Sequence, residues 1–441
     1  MVLQMNKFQA RVNLSIIICT YNSSKYLNDC FKSLFLKNNG KHEIVVIDDN
    51  SSDNTIKILK KWKKKFTFFQ LIALKKNRGV SYCRNLGIKK SNGKYVSFCD
   101  SDDFYSKNFL KIMIKKIDLY EGNELFLFNH KVFNNLDKKI IAKSCLYNKK
   151  KFSFSRQLNQ TITSFTRWNI WSLSIKKEFL MKHKIFFKNT NQNEDWLFNF
   201  NLSLLIKKFK VIDRCFYNYR IHKILSLGKL NGFVSSYSRL LTIINLLQLV
   251  SSNKKKFRKD VKKLFYDIIR ICTTDFATNI LACTKKENKK IEKIIKRNKY
   301  LFNENKYIMN KIKLFKIFIY SSDFKKLFYI NQKFLKEYNQ NIILFCAGYV
   351  GRSILDQLIL LDIKPKMIID NNQAYNNQIV KGIKIKNFKF LNKNYKKIKN
   401  SNFLICNYNI KDVLSINNQL LKLGVSKERI KSLNDHFLKL I

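Results

Sequence analysis

Three aspartates fall within four positions, Asp100, Asp102 and Asp103, at the end of the β-prone run YVSFC. The chain carries 30 acidic residues against 86 basic ones, so this clustering stands out. Two carboxylates one residue apart repel each other in a covered site unless a cation joins them. Hard oxygen donors of this kind suit Mg²⁺ or Mn²⁺ together with a phosphate-bearing ligand. Asp and Ser also favour turns and helix N-caps. The D-x-D by itself therefore leaves a metal site and a simple turn both open.

The surrounding pattern narrows the choice. LSIIIC at 14–19 is a buried-strand run that breaks at Thr20-Tyr21-Asn22. EIVVI at 43–47 is a second, ending in Asp48-Asp49, and 68–73 is a third. Helical spacing follows in Leu27, Phe31, Leu34 and Phe35, in Ile56, Leu59 and Trp62, and over 80–90. Alternating strands and helices with short loops predict an α/β fold with a mostly parallel sheet. Ligands then bind at the carboxyl edge. Three polar clusters at three such strand ends, in the first 103 residues, point to a nucleotide and metal site. Asp53 reads as a helix cap.

IIICTYN, EIVVIDDNSSDNT and NRGVSYCRNLGIKKSNGKYVSFCDSDD, in this order and spacing, resemble the N-terminal half of family 2 glycosyltransferases of the GT-A fold. The resemblance is strongest over residues 12–130. It extends to about 225 through a Trp-rich stretch at 168–171, NEDWLF at 193–198 and YNYRIH at 217–222. It implies that Cys19, Thr20 and Tyr21 contact the nucleobase of a sugar nucleotide, and that Asp49 accepts a hydrogen bond from the base. Arg84 would approach the diphosphate or order the site. Asp102 would ligate Mn²⁺ or Mg²⁺, and Asp100 would touch the ribose or donor sugar and share the metal. His222 would reach the metal or diphosphate. Asp195 would be the catalytic base, a role that needs one carboxylate near the anomeric carbon. Its place at a helix N-terminus fits a stabilised anion, and fits helix capping equally well.

The resemblance implies an inverting transferase that moves a hexose or N-acetylhexosamine, most simply from a UDP-sugar, to a glycan or lipid-linked glycan acceptor of capsule or lipooligosaccharide type. The contrasting reading is a non-catalytic module with a degenerate transferase fold, bound to membrane or nucleic acid. Intact Asp49, Asp100, Asp102 and Asp195 favour the enzyme.

The formal net charge of +56 would ordinarily suggest a polyanionic partner. Abundant Lys, Asn, Ile and Phe beside a single Pro also fit an AT-rich genome, and no nucleic-acid partner is expected. Ten cysteines without a C-x-x-C pair predict a reducing, cytoplasmic setting without a disulfide frame. No apolar signal core precedes the first strand, and the apolar run at 240–253 is too short to span a bilayer. Three regions are expected: 1–225 as the GT-A domain, 226–340 as a basic helical region, and 341–441 as a small Rossmann-like α/β domain. The Lys-rich amphipathic stretches of the middle region suit either a solvated face or peripheral contact with an anionic inner-membrane surface. In the last region CAGYVG stands where a G-A-G-x-x-G turn would, so Gly348, Gly351 and Asp370 are candidate nucleotide contacts.

Overall fold

The structure, a computed structural model, describes residues 12–35, 41–135, 139–143, 169–190, 192–221, 232–253, 259–279, 283, 285–304, 341–346, 351, 354–355, 358–359, 363–372, 375–406 and 410–432. The chain divides into two compact units. One is Met1–Ser226 with Ser252–Asp267, and the other is Leu227–Ser251 with Ile268–Ile441.

The first unit is built on strands β1 (Leu14–Thr20), β2 (His42–Asp48), β3 (Phe69–Ala73) and β4 (Tyr95–Asp100), all parallel to their neighbours in the order β3-β2-β1-β4. β1 and β2 are covered along almost their whole length, which is why they read as continuous apolar runs. Helices α1 (Leu27–Leu34), α2 (Thr55–Lys63) and α3 (Val80–Lys90) join them. α1 turns Leu27, Cys30, Phe31 and Leu34 inward. Phe31 meets Trp62 and Phe69 at ring distances of 5.7 and 5.6 Å. α3 lies close on β1 because residue 87 is glycine: a Cβ there would stand 2.4 Å from Ile17 Cγ2.

Beyond β4 the sheet becomes mixed. It continues through β8 (Leu173–Lys176), β6 (Leu125–Asn134), β9 (Phe209–Ile221) and the two-residue β5 (Phe104–Tyr105), with β7 (Lys139–Lys143) on β6. Helix α4 (Phe109–Leu119) follows β5, α5 (Lys177–Lys182) follows β8, and α6 (Glu194–Leu205) precedes β9. β9 runs for 13 residues, although no continuous apolar run marks it in the sequence. A bulge hides its length: Phe128 pairs with Ile212 but Asn129 with Cys215, and Asn129 Nδ2 donates to Asp213 Oδ1 at 2.9 Å.

In the second unit, helices α7 (Gly232–Ser252), α8 (Lys259–Asn279, which begins in the first unit), α9 (Lys285–Arg297) and α10 (Lys299–Glu304) precede a six-stranded sheet. α7 begins eight residues before the apolar run that marked it in the sequence. It contains a stretch, Phe233–Ser252, long and apolar enough to cross a membrane, with 61% of that window buried in the protein. α9 directs Ile291 and Ile295 inward, so this part of its apolar face is already covered. Strands β10 (Ile342–Phe345), β11 (Met367–Ile369), β13 (Ile383–Lys386), β14 (Asn402–Ile405) and β15 (Ile430–Ser432) are parallel, and β12 (Ile379–Val380) pairs antiparallel on the edge. The order β13-β11-β10-β14-β15 follows the doubly wound 3-2-1-4-5 scheme. Alternate residues of β10 feed two cores, Ile342 and Leu344 one, Ile343 and Phe345 the other. Helices α11 (Phe388–Ile398) and α12 (Ile410–Lys422) contribute Leu391 and Leu420 to the second of these.

Candidate active site

The register of the parallel strands gathers the polar clusters at one edge. Thr20 pairs with Asp48, and Cys19 pairs with Asp100. Asn22 (φ 49°) and Asn50 (φ 68°) take the left-handed conformation that turns the chain as it leaves β1 and β2. The two loops are laced together. Asn22 N donates to Ser51 Oγ, Ser52 N to Asn22 Oδ1, and Ser23 N to Thr55 Oγ1, each at 2.9 Å. Ser23 Oγ lies 2.7 Å from Ser101 Oγ, which ties the same loop to the D-x-D. Tyr21 stands out from this frame, 53% exposed, while Thr20 is buried and its hydroxyl has no partner among the described residues.

Asp48 and Asp49 do different work. Asp48 accepts from the amide and hydroxyl of Ser51 and closes its own turn. Asp49 reaches across to the start of α3. Its Oδ1 accepts from Arg78 N at 2.7 Å and its Oδ2 from Gly79 N at 2.8 Å. Gly79 (φ 82°) supplies the left-handed backbone at this point. Asp53 accepts from Thr55 N and Ser24 N. Although what burial it has opposes ionisation, these bonds hold it down at about 2.

Arg84 is the centre of the site. Its side chain is 7% exposed and meets three carboxylates. Nη1 donates to Glu194 Oε1 and to Asp195 Oδ1, both at 2.8 Å, and Nη2 donates to Asp100 Oδ1 at 3.2 Å. The sequence separations are 110, 111 and 16 residues. Docking of the segment before α6 on α3 makes this possible. Asn85 Nδ2 donates to Phe187 O at 2.9 Å, and Asn85 Oδ1 accepts from Phe187 N at 2.8 Å. Ser81 Oγ donates to Lys188 O. Phe187 stacks on Phe198 of α6 at 4.1 Å and lies 5.3 Å from the guanidinium of Arg84. Asn193 (φ 63°) then turns the chain so that α6 opens on Glu194 and Asp195.

Burial raises the Asp195 carboxyl to about 8, against the opposing pull of Arg84, and Glu194 and Asp100 add to the rise. Burial also raises Asp100, with Arg84 again opposing. The guanidinium stays charged because Asp195, Asp100 and Glu194 outweigh its burial. Burial likewise keeps the Cys19 thiol protonated.

The last acid of the D-x-D-D run is structural. Asp103 is 1% exposed, accepts from Tyr217 Oη and from Arg220 N, each at 2.7 Å, and so fixes the loop to β9. Tyr217 Oη also accepts from Asp100 N at 3.0 Å. Asn85, Asp103, Tyr217 and the direct contact of Glu194 with Arg84 were not anticipated. The YNYR string was the available signal for Tyr217.

Asp102 is partly exposed beside these groups. Among the described residues no three His, Cys, Asp or Glu side chains are arranged to hold a metal ion, and His222 lies outside them. Two hard carboxylates at a strand end nevertheless fit a divalent cation shared with a diphosphate, since Mg²⁺ usually takes one or two carboxylates and fills its sphere with phosphate and water.

In the second unit, a Cβ on Gly351 would stand 1.8 Å from Cys346 O, so a glycine is required for the close approach of the chain to the end of β10. Asp370 follows β11 and accepts from Asn372 N at 2.7 Å. Gly348 lies outside the described residues.

Residues 15–177 match the family model for glycosyl transferase family 2. An uncharacterized glycosyltransferase of Rickettsia conorii is 34% identical over 128 residues, 29% of this chain and 20% of that protein. Glycosyltransferase GlyA of Streptococcus pneumoniae is 28% identical over 217 residues, 48% of this chain and 31% of that protein. The chain thus spans under a third of the length of these two relatives. Among solved structures, residues 1–349 of Staphylococcus aureus TarS in complex with UDP align with a TM-score of 0.54 at 20% identity, over 74% of this chain and 92% of that one. Residues 15–177 are thus similar to glycosyl transferase family 2, and the likeness to the TarS fragment shows a GT-A fold.

Proposed function

We propose that the protein is an inverting, divalent-cation-dependent glycosyltransferase. It takes a sugar from a nucleotide-sugar donor, UDP-linked, and passes it to a hydroxyl of a surface glycan. The observation that carries this reading is the Arg84 cluster. One buried guanidinium holds Asp100 of the D-x-D and Asp195 of α6 together across the sheet edge. A transfer site needs this arrangement: a donor-binding acid and a separate base on one cleft.

Asp195 takes the proton from the acceptor hydroxyl as that oxygen attacks the anomeric carbon. A base works best when its pKa lies near the working pH, and burial brings Asp195 to about 8. Arg84 fixes the carboxylate's orientation through Nη1. With one base and no carboxylate nucleophile assigned, a single displacement inverts the anomeric carbon. Tyr21, exposed above the Thr20–Asp49 edge, offers its ring to a nucleobase, and Asp49 orders the loop beside it. Asp102, with Asp100, would hold the cation, whose chemistry is to offset charge on the departing diphosphate.

The named activities of relatives support the donor class. One, TarS of S. aureus, is a poly(ribitol-phosphate) β-N-acetylglucosaminyltransferase, 34% identical over 119 residues, and a TarS fragment has been solved with UDP. The test is a panel of UDP-, GDP- and ADP-sugars with Mn²⁺ or Mg²⁺, scored by release of the nucleoside diphosphate and by protection against thermal unfolding. Selective turnover of a UDP-sugar is expected. Neither hydrolysis nor protection by any sugar nucleotide would overturn the proposal.

A further inference from the structure

We propose that Tyr219 is a further residue of the transfer site, a neutral hydrogen-bond donor to the diphosphate of the nucleotide sugar. This rests on the functional reading above and adds a group to it from the far wall, on β9.

The β5–β9 ladder pairs Tyr105 with Tyr217 and Phe104 with Asn218, so the next step brings Tyr219 to Asp103, at the end of the D-x-D loop. Both neighbours of that step are fastened there. Tyr217 Oη and Arg220 N each donate to the Asp103 carboxylate at 2.7 Å. Tyr217 and Tyr219 leave the strand on the same side, as residues two apart must. Both rings lie nearly parallel to Trp171, at 4.3 Å and 10° for Tyr217 and 5.5 Å and 11° for Tyr219.

The two tyrosines then differ. Tyr217 is fully buried and its hydroxyl is committed to Asp103 and the Asp100 amide. Tyr219 is partly exposed, its ring is backed by Trp171, and its hydroxyl makes no hydrogen bond among the described residues. Burial, with Asp103, Asp100 and Asp102 close by, raises this phenol to about 12, so it remains an O–H donor. A ring held rigid from behind, with its donor unused beside the D-x-D, is matched by an oxygen-rich ligand at that place. In the transfer site that ligand is the diphosphate. A neutral donor adds a bond there without adding a cation to compete with the divalent ion.

The experiment uses the full-length protein with Tyr219→Phe, which keeps the ring and removes only the hydroxyl. UDP, GDP and ADP are titrated in the presence of Mn²⁺, each beside its parent nucleoside. Wild type is expected to bind one diphosphate, and Tyr219→Phe to bind it about tenfold more weakly or worse, as for loss of a hydrogen bond to a charged group. Affinity for the parent nucleoside and the melting temperature should not move. Equal diphosphate affinity in variant and wild type overturns the proposal and leaves the transferase reading standing, including when only the acceptor KM rises. Weakening of nucleoside and diphosphate alike also overturns it, because the effect then lies in the shape of the site. If wild type binds none of the three diphosphates, the transferase reading fails and this proposal with it.

Discussion

Replacing Arg84 by Met tests how the site is held. The side chain keeps its length and loses its charge, and three carboxylates lose their shared cation. Asp100 is 34% exposed in its side chain and regains water, so its share is at most about 1 kcal/mol. Glu194 and Asp195 are 14% and 21% exposed and carry most of the effect. Removing one partner of a buried ion pair costs about 3–5 kcal/mol. The remaining exposure of these two acids places this case near the lower end, at about 3 kcal/mol. The cost must also depend on pH. Asp195 already sits at about 8 by burial, and the variant removes the influence that draws it down. A folded value above the unfolded value of about 4 means that the acid's contribution is fully present below pH 4 and lost as pH rises through the folded value. The deficit of the variant should therefore grow from pH 5 to pH 8.5. Urea unfolding followed by tryptophan fluorescence is a suitable assay. All four tryptophans, 62, 168, 171 and 196, precede residue 226 and report on the first unit alone. A deficit under about 1 kcal/mol, the size of an exposed pair, or one equal at both pH values, would refute the view that Arg84 neutralises a covered cluster.

Three further outcomes follow from the same geometry. With the preferred donor, log kcat/KM should rise with unit slope and level off around pH 8, because the base must lose its proton; a profile flat from pH 6 to 9 would remove Asp195 from that role. Gly87→Ala places a methyl 2.4 Å from Ile17 Cγ2 and should cost about 1–3 kcal/mol in the same urea assay, and a neutral result would mean that α3 does not depend on this close approach. Asp102→Ala should abolish the Mn²⁺ dependence of nucleoside diphosphate binding measured by calorimetry, whereas titrations that still respond to Mn²⁺ would place the cation elsewhere.

The parallel half of the sheet was legible in the sequence because its strands are buried on both faces. LSIIIC, EIVVI and YVSFC needed no tertiary context to be read. The mixed half was not. β9 is interrupted by the bulged Asp213 and Arg214, and β5 is two residues long, too short to show any period. β12 and β15 are two and three residues long, and in β13 lysines alternate with the buried Ile383 and Ile385, so no apolar run marks it. Of the site, the residue types were readable and their partners were not. Arg84 stood in a recognisable string, but its ionic contacts with Glu194 and Asp195 depend on Asn85 clasping Phe187, a side chain-to-backbone contact that leaves no periodic trace. Asp103 stood in the same acidic run with no role assigned to it, and the structure ties both its oxygens to β9.

The central claim is that Asp195 takes a proton in a site that binds a nucleotide sugar by other means. Asp195→Asn keeps an oxygen for Arg84 and removes the base. Measuring donor affinity by calorimetry and turnover by diphosphate release on the same preparation separates the two. We expect near wild-type affinity with turnover reduced about 10²–10⁴-fold. Undiminished turnover, or lost binding with residual transfer, would contradict the account.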